Sequence, residues 1–490
     1  MQCNKSAAVV AAALLWVVGV SAGGGDTRLI EAVRDQDHET VRALLKQKAD
    51  VNAREGDGAT ALHWAVVRDD VETVEGLLRA GANVNAANDY GVTPLSLACT
   101  NRNATVVRKL LVGGAEPDAA TSMGETPLMT CARTGSAEGV AALFDHGANN
   151  VNAPEKSHGQ TALMWAAAQE NPDVVRVLLA HGADVHTRST SHVLPVSLGG
   201  NGGNFRDAVL MPQRGVTPLL FAARHGRIEN ARLLLDAGAD VNEAAPNGDS
   251  ALVTASFSGQ GKFAAFLLER GANPNDAGAG YAALHTAVLR GDLELVKALC
   301  AHGADPNVRL KKGSRQQRDS SWFAFSGALV GATPFLLAAK YAEIEIMRYL
   351  VAHGADSRLT AEDGLTPLMA IAGAGWTASG SANRRGQNFG VDAAQLIMAS
   401  GERPTFEGTK LALELGSDVN ATDRSGNTAL HAAASLAYTT VVQLLIDHGA
   451  KPDIKNKNGK TAQDLMCRDK SGKLVRPVGT VTPACPPAAQ

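Results

Sequence analysis

Thirteen histidines, six cysteines and 49 Asp and Glu residues are the groups from which this chain could build chemistry. A zinc site needs three or four Cys, His or carboxylate ligands converging at short spacing, and acyl transfer needs a nucleophile beside an oriented base. His186 and His192 border a polar stretch without a nearby Cys or a carboxylate at ligand spacing, so no metal is expected there. Gly199-Gly200-Asn201-Gly202-Gly203-Asn204 has the glycines of a phosphate loop. It neither follows a predicted strand nor opens a helix, and no Lys-Ser/Thr ends it. No Gly-x-Ser-x-Gly elbow and no His-Glu-x-x-His helix occurs. The expectation is a chain that is not an enzyme, with no catalytic residue, cofactor or metal.

The composition points the same way. Apolar residues make up 45% of the 490 positions but aromatics only 4%, so the core must be built from Ala, Leu and Val. With 46 Lys and Arg against 49 Asp and Glu, a net charge of −3 argues against a nucleic-acid partner and against a polybasic membrane-surface protein. Charged residues at 19% exclude global disorder. Lys5 followed by the apolar run Ala7–Val20 and the small residues Ser21-Ala22 reads as a signal peptide over residues 1–22. Retention of this run as an N-terminal anchor is the alternative. No second apolar run approaches the ~20 residues of a membrane span, so an exported, periplasmic or secreted protein with no integral span after cleavage is expected.

The elements that must position any site repeat every 33 residues. The string Gly-x-Thr-Pro/Ala-Leu recurs with its Thr at 60, 93, 126, 161, 217, 333, 366, 428 and 461, and Ser250 and Ala282 hold the place in two further copies. About 20 residues later comes Leu-Leu, two residues, then Gly-Ala-Asp/Asn-x-Asn. Asp57-Gly58, Asn247-Gly248, Asp363-Gly364 and Asn458-Gly459 are turn dipeptides tolerant of positive φ. The Thr caps a first helix, Pro follows at its first position, and Gly182 and its equivalents end a second helix in the left-handed conformation. No copy can bury its apolar face alone, so stability comes from stacking.

Thr217-Pro218-Leu219-Leu220-Phe221-Ala222-Ala223 and Thr60-Ala61-Leu62-His63-Trp64-Ala65 resemble the Thr-Pro-Leu-His-x-Ala signature of ankyrin repeats. The resemblance covers roughly residues 26–465, within an array assigned to 23–465. It implies an all-α solenoid of roughly 10–12 helix-turn-helix copies joined by hairpin loops. Asp26–Ala53 resembles an N-terminal capping repeat, and Thr461–Leu465 begins a truncated C-terminal one. Together with the leader, the whole resembles exported bacterial members of the family.

Three stretches depart from the pattern. Residues 187–213 and 308–330 fall in the hairpin region, and 373–404 splits a repeat between its helices. There Asp392–Ala399 reads as an added helix before Thr405–Leu415 resumes the second one. Trp322, Phe323 and Phe325 in the second insertion either fold back on the array or anchor a partner.

Register absorbs most of the reactive side chains. His146, His181, His302, His353 and His448 precede the Gly-Ala that ends a second helix, where a His can bond loose carbonyls. His63, His285 and His431 take the fourth place of Thr-Ala-Leu-His or its variant. Cys99 and Cys131 lie on neighbouring first helices, whose packing at about 8–10 Å is expected to hold them apart as small core residues. Cys300 is a lone thiol. Cys467 and Cys485, in the Pro-rich tail 466–490, are expected to form a disulfide in an exported chain.

Counting from the Thr as zero, positions 2, 5, 6 and 9 of the first helix should be buried, and positions 4, 7 and 8 should face the groove beside the hairpins. In ankyrin proteins the concave face typically carries partner contacts, so the resemblance points to the same residues. Positions 7 and 8 include Arg68, Asn101, Arg133, Gln169, Arg224, His225, Phe257, Arg290, Lys340 and Tyr341. Five are Lys or Arg and none is acidic, and Arg and aromatics dominate interface energetics. Trp322 joins them from the second insertion. At position 4, Trp64, Trp165 and Phe221 are expected to be partly buried against the adjacent hairpin. The function expected is a monomeric, non-catalytic scaffold binding a protein. The alternative is an inhibitor or accessory subunit of an exported enzyme.

Overall fold

A computed structural model describes residues 26–197, 208–313, 325, 329–373 and 402–466. The leader 1–22, Trp322, Phe323, Asp392–Ala399, Cys467 and Cys485 lie outside the described residues. Among the described residues the chain is an all-α repeat solenoid, eleven helix pairs in chain order. The pairs are Arg28–Arg34 with His38–Lys46, Ala61–Val67 with Val71–Arg79, Pro94–Thr100 with Ala104–Val112, Pro127–Thr134 with Ala137–Asp145, and Ala162–Ala168 with Pro172–Ala180. There follow Pro218–His225 with Ile228–Asp236, Ala251–Phe257 with Gly261–Glu269, Ala283–Arg290 with Leu293–Ala301, and Pro334–Lys340 with Ile344–Ala352. Pro367–Ala372 with Glu402–Glu414 and Ala429–Ser435 with Thr439–Asp447 complete the series before a 3₁₀ turn at Gln463–Leu465. The chain divides into two compact units, one of residues up to 166 with 173–183, the other of 167–172 with 184 onward.

Local chemistry accounts for the helix ends. Thr93, Thr126, Thr217, Thr333, Thr366 and Thr428 each accept the N–H three residues on. Second helices are capped in the same way: Asp37, Asp70, Asn103, Ser136 and Asp292 accept the same bond. Leu62, Leu95, Leu128, Leu219 and Leu284 at position 2 are buried, as are Ala65, Ala98, Ala222 and Ala287 at position 5. Each such leucine contributes about 2 kcal/mol by leaving water.

Position 9 departs from expectation, since none of its residues among those described is buried. It is the left-handed link between the two helices, occupied by Gly135, Gly226 and Gly291 but also by Asp69, Arg102, Ala342 and Ala437 at φ of 54–60°. The backbone needs that conformation to reverse direction, so position 9 points out of the core. The Gly-Ala-Asx-x-Asn string is explained by a ladder. Asn52 donates to the Gly81 carbonyl and accepts Asn83 N–H, and Asn85, Asn275, Asn307 and Asn420 repeat the bridge.

Cys99 and Cys131 form a disulfide, with their Cα atoms 4.5 Å apart. The expectation that they stay apart is corrected. The 8–10 Å packing distance separates helix axes, and Cα atoms stand about 2.3 Å off each axis, so facing Cα atoms approach to roughly 3.5–5.5 Å. Small neighbours such as Ala98 and Ala132 allow that approach.

The first insertion contains an antiparallel ribbon, β1 (Ser191–Ser197) and β2 (Ala208–Arg214), with Val193 opposite Pro212 and Pro195 opposite Leu210. Pairing with proline inside both strands requires that each Pro take a place where the missing N–H would point away from the partner. Both outer edges of the ribbon therefore lack a donor, which blunts edge-to-edge association. Below the ribbon the hairpin base is kept: Ser189 N–H donates to Val216 O, and Arg188 bonds the carbonyls of Gly215 and Ala244. Arg309 does the same at the second insertion, bonding Gly331 and Thr360. Phe325 folds back and is buried against Tyr281 and His285.

Candidate protein-binding faces

The first-helix ends and the hairpin turns of each unit carry the residues singled out by register. In the first unit Arg68 is exposed, and Asn101 and Arg133 are half-buried. Arg68 Nε donates to the Arg34 carbonyl at 3.0 Å. Asn101 Nδ2 donates to Val66 O at 2.8 Å and to the Asp69 carboxylate at 3.1 Å. Thr134, at the same position one copy later, donates to Cys99 O at 2.8 Å. Position 8 thus caps the C-terminal end of the preceding repeat's first helix. The absence of acids at positions 7 and 8 has a local cause as well, because a helix C-terminus repels carboxylates and attracts cations.

In the second unit Arg224 and His225 are exposed, whereas Gln169, Phe257, Arg290, Lys340 and Tyr341 are half-buried. Phe257 and Arg290 are brought together, Arg290 Nε donating to the Phe257 carbonyl at 2.7 Å. The Phe257 ring lies 6.2 Å from Tyr281, which lies 5.4 Å from Phe325, so an aromatic row runs from the face to the base of the second insertion. Tyr281, missed in the sequence, is fixed by its hydroxyl to Asp249 at 3.0 Å. Burial holds the charged forms of Arg290 and Lys340 at lower pKa than usual.

At position 4 two of the three aromatic residues are partly buried, as expected, and the third is more enclosed. Trp64 is buried, with its indole N–H on Glu55 at 2.8 Å, while Trp165 and Phe221 are half-buried. Glu243 is buried and its carboxyl accepts the Thr217 hydroxyl. Desolvation raises its pKa to about 7, with Thr217 and Arg188 opposing the rise.

The histidines follow their register. His146, His181, His302, His353 and His448 each place Nδ1 2.8–2.9 Å from the carbonyl four residues back. His63 and His431 take the N-cap N–H on Nδ1 and bond a carbonyl of the next repeat through Nε2. His285 makes the first bond only. Its Nε2 is buried without a hydrogen bond, the carbonyls of Val308 and Ala332 lying near it but outside bonding geometry. Burial depresses its pKa to about 4. Among the described residues no three His, Cys, Asp or Glu side chains are grouped to hold a metal, and no helix is long and apolar enough to cross a membrane.

The family model for ankyrin repeats matches residues 10–88, 29–121, 95–189, 196–278, 245–310 and 395–476, more than half of the chain. The chain belongs to the ankyrin-repeat family. Such repeats support a scaffold for protein–protein interaction. Among curated proteins it is 26% identical over 266 residues to a putative palmitoyltransferase, ZDHHC13, of Danio rerio, covering 54% of this chain and 34% of that one. It is 25% identical over 388 residues to the E3 ubiquitin-protein ligase KEG of Arabidopsis thaliana, covering 68% and 20%. It is 34% identical over 170 residues to ankyrin repeat and SOCS box protein 16 of Mus musculus, covering 31% and 38%. The chain therefore spans well under half the length of these three relatives.

Proposed function

We propose that this ankyrin-repeat chain is a non-catalytic binding module of an extracytoplasmic compartment, engaging a protein partner through the first-helix faces of its units and the inserted loops. The observation that carries the reading is the face of the second unit. Arg224 and His225 are exposed there, and Phe257, Arg290, Lys340 and Tyr341 stand half-buried on rigid helix ends. Preformed Arg and aromatic side chains are the types that anchor interfaces at low ordering cost. The non-catalytic reading rests on the histidines, eight of which act as caps. Export is supported by the apolar run after Lys5 and by the Cys99–Cys131 bond, since disulfides persist in oxidising compartments.

The test is a crosslinking pull-down from the exported fraction with the full chain as bait, beside a variant carrying Arg224→Ala, Phe257→Ala and Tyr341→Ala. A protein captured by the first and lost by the second is the expected outcome. Equal capture by both would move the site off this face. The mature N-terminus and thiol state of the native protein test the location. Processing after Ala22 with Cys99 and Cys131 oxidised is expected; an unprocessed chain with both thiols free would overturn export.

A further inference from the structure

Two copies in the first unit place an Arg at position 7 over a Trp at position 4 of the following copy, and they differ in one group. In the first, the Arg34 guanidinium carbon lies 5.6 Å from the Trp64 ring centroid. Glu55 bridges the pair, accepting Arg34 Nη1–H at 3.0 Å and the Trp64 indole N–H at 2.8 Å. In the second, Arg133 lies 4.8 Å from the Trp165 ring centroid. No carboxylate bridges it: Arg133 Nε and Trp165 Nε1 are both buried without a hydrogen-bond partner.

The cause is one extra residue in the hairpin turn. Glu55 N–H closes its turn on Ala59 O, four residues on, whereas Glu155 N–H closes on Gln160 O, five residues on. Within the longer turn the Glu155 carboxylate accepts the N–H groups of Ser157, His158 and Gln160. It is committed to its own turn and makes no hydrogen bond to Arg133 Nε or Trp165 Nε1. Two buried donors without acceptors are costly, because each has lost water and gained no partner. A carboxylate supplied from outside would relieve both through charge-assisted bonds.

We infer that Arg133 and Trp165 form a carboxylate-binding subsite for an acidic side chain of the protein partner, which would bridge the Arg133 guanidinium, through Nε, and the Trp165 indole N–H as Glu55 bridges Arg34, through Nη1, and Trp64. The inference rests on the binding-module reading and adds the chemistry of one contact. The guanidinium carbon stands 4.8 Å from the ring centroid at Trp165 and 5.6 Å at Trp64, where Glu55 bridges the pair. A carboxylate that bridges Arg133 and Trp165 is expected to draw the guanidinium away from the ring, towards the Arg34–Trp64 spacing.

The test uses the full chain labelled with ¹⁵N at tryptophan, with the indole resonances assigned by Trp165→Phe and Trp64→Phe. The probe is N-acetylglutamate α-amide, whose only carboxylate is on the side chain, with N-acetylglutamine α-amide as control. The Trp165 indole proton is expected to move downfield and saturate with the glutamate probe, while the Trp64 resonance stays in place. Arg133→Gln is expected to weaken this response at least tenfold with the Trp64 resonance unchanged, showing that the unit remains folded. A Trp165 resonance that stays still, or that moves equally with the glutamine probe, would overturn the subsite. So would a response that survives Arg133→Gln. Because this readout needs no protein partner, it fails or succeeds independently of the pull-down.

Discussion

The two units use one 33-residue pattern and spend their side chains differently. In the first, Arg68 and Asn101 are tied to carbonyls of the preceding repeat, and a disulfide joins adjacent first helices. In the second, the hairpin turns are extended by a ribbon and by the stretch anchored on Phe325. Arg188 and Arg309 nevertheless hold the turn bases by the same kind of carbonyl contacts. The lesson is that an extended hairpin leaves the helix stack intact as long as its base bonds are made, so insertions can grow where the solenoid needs nothing from them.

Removing the disulfide should separate the units most strongly. It closes a loop of 32 residues. Replacing both Cys99 and Cys131 by Ala is expected to lower the stability of the first unit by about 3–4 kcal/mol, with amide exchange in the second unit unchanged. Equal loosening of both units would break the comparison.

The second unit should carry its own pH dependence. Glu243 has a folded-state pKa raised to about 7 from the ordinary 4.5. The folded state therefore holds the proton more tightly than the unfolded one. The stabilisation is fully present below pH 4.5 and is lost as pH rises through 7, amounting to roughly 3–4 kcal/mol at most. Glu243→Gln is expected to flatten this slope in denaturation of the second unit and to stabilise it at pH 8. A slope that survives the substitution would assign the dependence elsewhere.

A smaller effect distinguishes equivalent histidines. His63 bonds through both ring nitrogens, whereas Nε2 of His285 is unbonded. His63→Leu is therefore expected to cost about 1 kcal/mol more than His285→Leu, read as the difference in urea midpoints.

How far the sequence could be read follows from the same physics. The repeat, its caps and its turns were legible because Thr, Pro and Gly act through local backbone demands that recur every 33 residues. Eight histidines were placed correctly for the same reason. The disulfide was not, because its outcome depends on how closely Cα atoms face each other rather than on the spacing of axes. Position 9 was misread as buried because a helical period was carried one residue past the helix end. The ribbon of residues 191–197 and 208–214 was not foreseen, since two strands with internal prolines give a weak alternating signal. The Arg133–Trp165 arrangement was half legible: both residues were singled out by register. The missing bridge depends on where the Glu155 carboxylate turns, and only the structure supplies that.

The central claim, that partners bind on the first-helix faces, is tested most directly by hydrogen exchange on the full chain with and without its captured partner. New protection is expected at the first-helix ends near Phe257, Arg290 and Tyr341 and in the adjoining hairpin turns. Protection confined to the second helices, such as Ile228–Asp236 and Leu293–Ala301, would contradict the claim.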